Sequence, residues 1–200
     1  MLQDKLKGIR LILASKSPRR QQLMRELGLE FDIRANGDDE ELYPDGLSMT
    51  EIPVYLAQHK AIPLAASLRD NEILITSDTI VWCNWQVIGK PKDKEDAFSI
   101  LSLLSGNMHT VVTGVCLTST KASSTFFATT NVYFRKLADE EILYYIDRYK
   151  PFDKAGAYGI QEWIGYIGVE RIEGSYYNVM GLPVQTLYLE LQKFVNQNYK

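Results

Sequence analysis

Between residues 11 and 27 the chain reads "LILASKSPRRQQLMREL", an apolar run followed at once by Ser15, Lys16, Ser17, Arg19 and Arg20. Hydroxyls and cations crowded into one strand-to-helix turn are suited to holding an anion. A helix that begins near Pro18 offers unpaired backbone N–H groups and the positive end of its dipole, and arginine forks match phosphate oxygens in two-point contact. The plainer alternative is that Ser17 only caps the helix while the arginines are solvated, and the stretch alone does not separate the two. It is not a common nucleotide-binding fingerprint: GxxxxGK[ST] and GxGxxG are both absent, which argues against a P-loop ATPase and a Rossmann dehydrogenase.

The second chemical signal is "ITSDTIV". Asp78 falls where an apolar strand would emerge, and a carboxylate there can ligate a hard cation or accept a proton from water. A lone Asp at a strand end is more often a turn former. Company comes from Glu40 in the acidic loop, and from Lys60, Lys90 and Lys154. "IGKPKDKED" puts Lys90 between a strand and a capped helix, and "DKAGAYGIQ" surrounds Lys154 and Gln161 with small residues that let backbone approach a ligand closely. Lysines in loops are usually solvated, so each position is weak by itself. His59 and His109 are too few and too far apart for a histidine metal site; a helix surface and a strand start are the expected places for them. Trp82, Trp85, Tyr176 and Tyr177 could stack on a base, although packing is the commoner use.

Composition narrows the classes. The 200 residues are 46% hydrophobic and 24% charged, ordinary for a globular chain long enough to bury a core. The net charge of −3 is uneven: residues 1–35 hold eight Lys/Arg against four Asp/Glu, whereas residues 36–55 hold six acids and no base. A basic segment followed by an acidic one fits a site for phosphate and metal, or two solvated surfaces. The acidic balance argues against a nucleic-acid partner. Only Cys83 and Cys116 are present, without metal-ligand spacing, so neither a disulfide scaffold nor a zinc site is expected. No signal-peptide run and no membrane-spanning stretch are evident, and a cytoplasmic protein without a membrane partner is expected.

These groups require scaffolding. Residues 10–14 read as a buried strand, and a helix from Pro18 ends near Gly28. "FDIRA" is a second strand, and residues 36–47 form a polar loop. Ser48 or Thr50 opens a helix to about Ser67, with Pro53 in its first turn and Pro63 as a kink or break. Two strands flank Asn84, and Asp93 with Asp96 caps a helix whose apolar face holds Phe98, Leu101 and Leu104, ending at Gly106. "HTVVTGVCLTS" and "TFFATTNVYFRKL" form a hairpin around "TKASS". Asp139 starts a helix stopped by Pro151, a strand is expected near 163–172, and Pro183 opens the last helix. Alternating strands and helices with a central hairpin predict one α/β unit around a mixed sheet.

In order, "LASKSPRRQQLMRELGL", "SDTIV", "IGKPKDKEDAFSILSLLSGNMHTVVTGV", "DKAGAYGIQ" and "IEGSYYNVMGLP" resemble the Maf family of nucleoside triphosphate pyrophosphatases, from Leu11 to the final helix. The resemblance implies a single two-lobed domain over residues 1–200, built around a long bent mixed β-sheet with flanking helices and akin to the inosine triphosphatases, with the nucleotide in a cleft between the lobes. It further implies hydrolysis between the α and β phosphates with a divalent cation, Mg²⁺ or Mn²⁺, and a homodimer.

By the same resemblance Ser15, Ser17, Arg19 and Arg20 form the phosphate-binding turn, joined by Lys60, Lys90 and Lys154. Asp78 is the proton acceptor and Glu40 a further polar site position, which Glu41 fits equally; our own expectation is that Glu40 and Asp78 hold the metal. Arg19, Thr79 and Gln161 match the branch that acts on dTTP and UTP, whereas a second branch, with Trp in the first of these places, prefers a methylated guanine nucleotide. Housecleaning of modified pyrimidine nucleotides is a further expectation. Two features depart from the family pattern: Ser77 stands where Ala is common, and "QEWIG" replaces a more glycine-rich continuation. The competing class is a non-catalytic, nucleotide-sensing regulator of cell division or septum formation. Such a regulator would not need Asp78 and Glu40 together.

Overall fold

The computed structural model describes residues 1–34 and 42–199. In chain order the elements are α1 (Leu2–Lys5), β1 (Arg10–Leu13), α2 (Pro18–Glu26), β2 (Phe31–Ile33), α3 (Glu51–Ala65), β3 (Glu72–Cys83), β4 (Gln86–Ile88), α4 (Lys94–Leu104), β5 (Met108–Thr118), β6 (Ser123–Phe134), α5 (Asp139–Tyr149), a 3-10 turn (Ala155–Ala157), α6 (Trp163–Gly168), β7 (Val169–Glu173), α7 (Tyr176–Val179) and α8 (Val184–Asn198). Among the described residues the strands form a seven-stranded sheet in the order β2-β1-β3-β5-β6-β7, with β4 alongside β3. β1 runs parallel to β2 and β3, whereas β4 and β7 run antiparallel to β3 and β6. The expected mixed α/β sheet is therefore what forms. The chain divides into two compact units, one of residues Met1–Asp78, Thr113–Ala128 and Gly181–Lys200, the other of Thr79–Val112 and Thr129–Met180.

In the first unit the order of the parallel strands follows from their apolar faces. Leu11, Ile12 and Leu13 are buried and register with Ile73, Leu74 and Ile75 of β3. Ile12, Leu74 and Cys116 meet Ala57, Ala61, Leu64 and Leu68 in one cluster. Small residues let α3 lie close to the sheet. An added Cβ at Gly114 would sit 2.3 Å from the carbonyl carbon of Pro53, and Thr76 Oγ1 donates to Ala57 O at 2.6 Å. Thr50 occupies the N-cap of α3, while Ser48 supplies the first carbonyl acceptor and its N–H donates to Glu51. Pro63 does not break this helix, which continues to Ala65. Its ring lies in the last turn, where losing one backbone bond disturbs little downstream.

In the second unit β3 turns into β4 through Asn84 and Trp85, both with positive φ, the mirror-image turn that suits strand twist. Asp93 caps α4 by accepting from Asp96 N, as expected. The apolar run 163–168 is a helix rather than the expected strand, and only Val169–Glu173 is extended. A short apolar run has no period that separates the two states. Glycine is required at 165 for this helix to start so close to the preceding turn, since a Cβ there would lie 1.8 Å from Ile160 O. The short helices α1 and α7 were not legible from periodicity. Cys83 and Cys116 are buried and unbridged. Among the described residues no helix is long and apolar enough to cross a membrane.

Candidate active site

β1 delivers the hydroxyl-rich turn. After Leu13 the backbone stays on the sheet for one more residue, Ala14 N donating to Ile75 O at 2.9 Å, and then breaks away. Ser15 Oγ accepts from Ser17 N at 3.2 Å, and Ser17 Oγ accepts from Arg20 N at 3.5 Å. Pro18 occupies the first turn of α2, where its missing N–H costs nothing. Ser17 is thus a helix cap, as the plainer reading held. Capping uses the hydroxyl as acceptor only, so its proton can still be donated to an anion at the helix N-terminus. Arg19 is half-buried on the same turn.

Arg20 does something the sequence did not announce. Its Nε donates to Gly181 O at 2.8 Å and its Nη1 to Ser77 O at 2.9 Å. The guanidinium therefore ties the turn to the β3 residue that precedes Asp78 and to the loop before α8. Arginine suits this brace because its donors are fixed in a planar fork. Asp78 itself is only 3% exposed, and its carboxylate is ion-paired to Lys60 Nζ from α3. Burial makes the pairing necessary, because an uncompensated carboxylate at this depth would cost several kcal/mol (~3–5). Ser77 Oγ is buried with no hydrogen-bond partner among the described residues, so its hydroxyl adds nothing visible to the brace.

Glu40 and Glu41 lie outside the described residues. Among the described residues no group of three or more His, Cys, Asp or Glu side chains is placed to hold a metal ion. Magnesium bridging a triphosphate usually takes only one or two protein carboxylates and keeps several waters, so a hard oxygen donor such as Asp78 fits that chemistry.

The second unit carries the remaining predicted residues. Thr79, half-buried, follows Asp78 on β3, and Lys90 is exposed just after β4. The small-residue loop is bound to the Lys90 segment through Gly156 N, which donates to Gly89 O at 3.0 Å. Gly156 has φ +72°, and a Cβ on it would come 2.9 Å from Val81 Cγ2, so glycine is required there. Lys154, expected to bind phosphate, is buried and already engaged with Asp153 Oδ1 at 2.7 Å and Glu162 Oε1 at 3.3 Å. Gln161 is half-buried with its Oε1 enclosed and unpartnered among the described residues. A buried amide oxygen without a donor is unusual, and a ligand N–H would satisfy it.

Sequence reasoning missed two groups here. Glu162 pairs with Lys154 and accepts a hydrogen bond from the Tyr145 hydroxyl of α5, which in turn accepts from Gly159 N at 3.0 Å. Tyr145 lies in the helix that starts at Asp139, which carried no site motif, and Glu162 stood out only as a departure from pattern.

Two other motifs are structural. Within "IEGSYYNVMGLP", Ser175 caps α7, and the buried Asn178 donates from Nδ2 to Val111 O at 3.1 Å and Thr130 Oγ1 at 3.0 Å. His59 is exposed on α3, whereas His109 begins β5 in the core, 2.7 Å from the Tyr158 hydroxyl. Trp85, Tyr176 and Tyr177 are exposed rather than core.

The chain is thus an α/β protein with a mixed sheet, a hydroxyl-rich turn between β1 and α2, and a buried, ion-paired aspartate on the neighbouring strand β3. A family profile described as Maf-like protein matches residues 10–194, and the chain belongs to the Maf family. It is 52% identical over 191 residues to a dTTP/UTP pyrophosphatase of Parabacteroides distasonis, covering 96% of this chain and 99% of that one. It is 51% identical over 195 residues to a dTTP/UTP pyrophosphatase of Flavobacterium johnsoniae, covering 98% and 100%. Among solved structures, a HAM1 protein from Coxiella burnetii aligns with a TM-score of 0.48 and 14% identity, covering 92% of this chain and 99% of that one.

Proposed function

We propose that this chain is a nucleoside triphosphate pyrophosphatase that hydrolyses dTTP and UTP to the monophosphate and pyrophosphate. The observation that carries the catalytic reading is the Arg20 brace, which fastens the Ser15–Ser17 turn to the strand position beside the buried Asp78–Lys60 pair. Full-length relatives near 50% identity that bear the name dTTP/UTP pyrophosphatase support the substrate.

Water attacks the α-phosphorus, the bond to the bridging oxygen breaks, and pyrophosphate leaves with the electron pair. Little covalent chemistry falls to the protein, so placement and neutralisation of charge dominate. The Ser15 and Ser17 hydroxyls, Arg19 and the α2 N-terminus hold phosphate oxygens, with Arg20 fixing the turn. Lys60, Lys90 and Lys154 offset negative charge on the leaving pyrophosphate. Asp78 orients the attacking water and takes its proton. A divalent cation, Mg²⁺ or Mn²⁺, held by Asp78, by Glu40 and by the substrate's own phosphates, would supply electrophilic polarisation. Gln161 presents both an amide donor and an acceptor to the edge of a pyrimidine, and Thr79 a hydroxyl; the unpartnered Gln161 Oε1 suits the thymine or uracil N3–H. Arg19 completes the specificity set. Residues 1–200 are read as one catalytic domain, cytoplasmic and homodimeric, with no nucleic-acid or membrane partner.

The test is pyrophosphate release from dTTP, UTP, ATP, CTP and GTP, with each cation. Asp78→Asn should lower turnover by about 10²-fold or more, the usual worth of a positioned base. Folded Asp78→Asn protein with wild-type turnover would remove Asp78 from the mechanism. Nucleotide binding without cleavage by the wild-type protein would favour the regulator of septum formation instead.

A further inference from the structure

Gly159, Gln161 and Glu162 form an arrangement that none of the assigned roles explains. A Cβ on Gly159 would lie 2.8 Å from Glu162 Cδ and 3.0 Å from Gln161 Nε2, so both side chains fold back over that glycine. Glu162 is half-buried and used at both oxygens. One faces Lys154 Nζ at 3.3 Å, and the other accepts from Tyr145, whose ring is fully buried on α5. The same tyrosine oxygen accepts from Gly159 N, closing the loop on itself.

We infer that Glu162 is a positioning residue that, anchored by Tyr145, fixes Lys154 and its neighbour Gln161 together and thereby sets the preference for pyrimidine triphosphates. This rests on the functional reading above, in which Lys154 faces phosphate and Gln161 faces the base. The physical case is one of freedom removed. A lysine side chain carries about 2 kcal/mol of rotamer entropy, and a surface loop gives its residues several positions. Carboxylates on two sides confine the ammonium before substrate arrives, and they leave one of its three donors for a phosphate oxygen. Gln161 has no partner at Oε1 among the described residues, so its placement depends on the backbone between Gly159 and Glu162 and on the side chain packed beside it. Tyr145 and Glu162 pin both ends of that segment. A base reader displaced by a fraction of an ångström loses discrimination before it loses binding, because the phosphates hold any nucleotide.

The experiment compares kcat/KM for dTTP and GTP in the full chain, wild type against Glu162→Gln, Tyr145→Phe and their double variant, with folding followed by circular dichroism. Gly159→Ala is the steric counterpart, since its methyl group pushes on the ends of both flexible side chains. The expected result is that the dTTP:GTP ratio falls about tenfold in each single variant, and that the double variant is no worse than the poorer single, because both act through one strut. General loosening would lower both substrates together and leave the ratio alone. A wild-type protein that prefers dTTP while folded variants keep its ratio overturns this inference and spares the functional reading. Effects that multiply in the double variant also overturn it. A wild-type protein without pyrimidine preference overturns the functional reading and this inference with it. Should Glu162→Gln fail to fold, Tyr145→Phe and Gly159→Ala carry the same readout.

Discussion

Acidification from pH 7 to pH 5 should cost this protein about 2 kcal/mol of stability through one side chain, His109. Its ring lies within the core, 1% exposed, edge-on to Phe134 and Tyr158, with Nε2 against the Tyr158 hydroxyl and Nδ1 unpartnered among the described residues. Charging an imidazole there removes it from water without a counter-charge, and burial lowers its pKa from 6.5 to about 4. The unfolded chain therefore takes up a proton near pH 6.5 that the folded chain refuses. Stability from the neutral ring is complete above the unfolded value and is lost as pH falls toward 4, reaching about 3 kcal/mol below both values. The Glu72 and Glu141 carboxylates, held low by Arg34 and Arg135, stay outside this window and release their stability below pH 4.5. Urea unfolding at pH 7 and pH 5 measures the loss directly. His109→Phe with Tyr158→Phe removes the titration and avoids stranding the tyrosine hydroxyl, so its pH slope should be nearly flat. Equal wild-type stability at the two pH values, or an unchanged slope in the double variant, would refute the argument.

Other perturbations follow from packing and pairing. Gly114→Ala drives a methyl group into the backbone of Pro53 and Val54, which cannot yield as a side-chain tip could; a loss of about 3 kcal/mol or more in urea unfolding is expected. Arg34→Met removes two guanidinium bonds from Glu72, 1% exposed, and leaves it, among the described residues, the bond from Arg69 N at 3.1 Å and the nearby Arg69 charge. It should cost about 3 kcal/mol, the low end for a broken buried pair because Arg34 is itself about a third exposed, and Glu72→Gln should recover part of the loss. Arg20→Lys keeps the charge but cannot reach both Ser77 O and Gly181 O, for an expected loss of about 1–2 kcal/mol and a Tm lower by roughly 3–6 °C. A Tm within 1 °C of wild type would show that Arg20 is not a brace.

Local chemistry made much of the fold legible. Pro18 after Ser17, Asp93 before Asp96 and the residues flanking Asn84 each state a cap or a turn within a few positions, and each forms. The 163–168 segment was misread because six apolar and glycine residues carry no usable period, and the close backbone approach at Gly165 is visible only in the fold. Of the candidate site residues, Ser15, Ser17, Arg20 and Asp78 stood out because they stand in compact motifs, whereas Lys60 stands in none. Their division of labour was not legible. That Arg20 binds carbonyls and that Lys154 is held between carboxylates depend on Gly181 and Glu162, and sequence spacing says nothing about who faces whom. Tyr145 was invisible for a related reason: one hydroxyl on an apolar helix face looks like core until its partner is known.

The paired charges also bear on how a polyanion would be received. Lys60 is engaged with Asp78, Lys154 with Asp153 and Glu162, and the Arg20 fork with two carbonyls. Cations placed this way have already lost their side-chain freedom in folding, so a nucleotide need not order them on arrival. The two lysines differ in what that placement leaves. Lys154 faces two anions, and a phosphate bound there as proposed would share it with them. Lys60 faces the carboxylate that the proposed mechanism uses as a base, so any phosphate oxygen that draws this ammonium toward itself weakens its hold on Asp78. On that reading, neutralising the triphosphate and releasing the proton acceptor are one electrostatic exchange, and the Asp78–Lys60 pair serves as the protected resting form of the base.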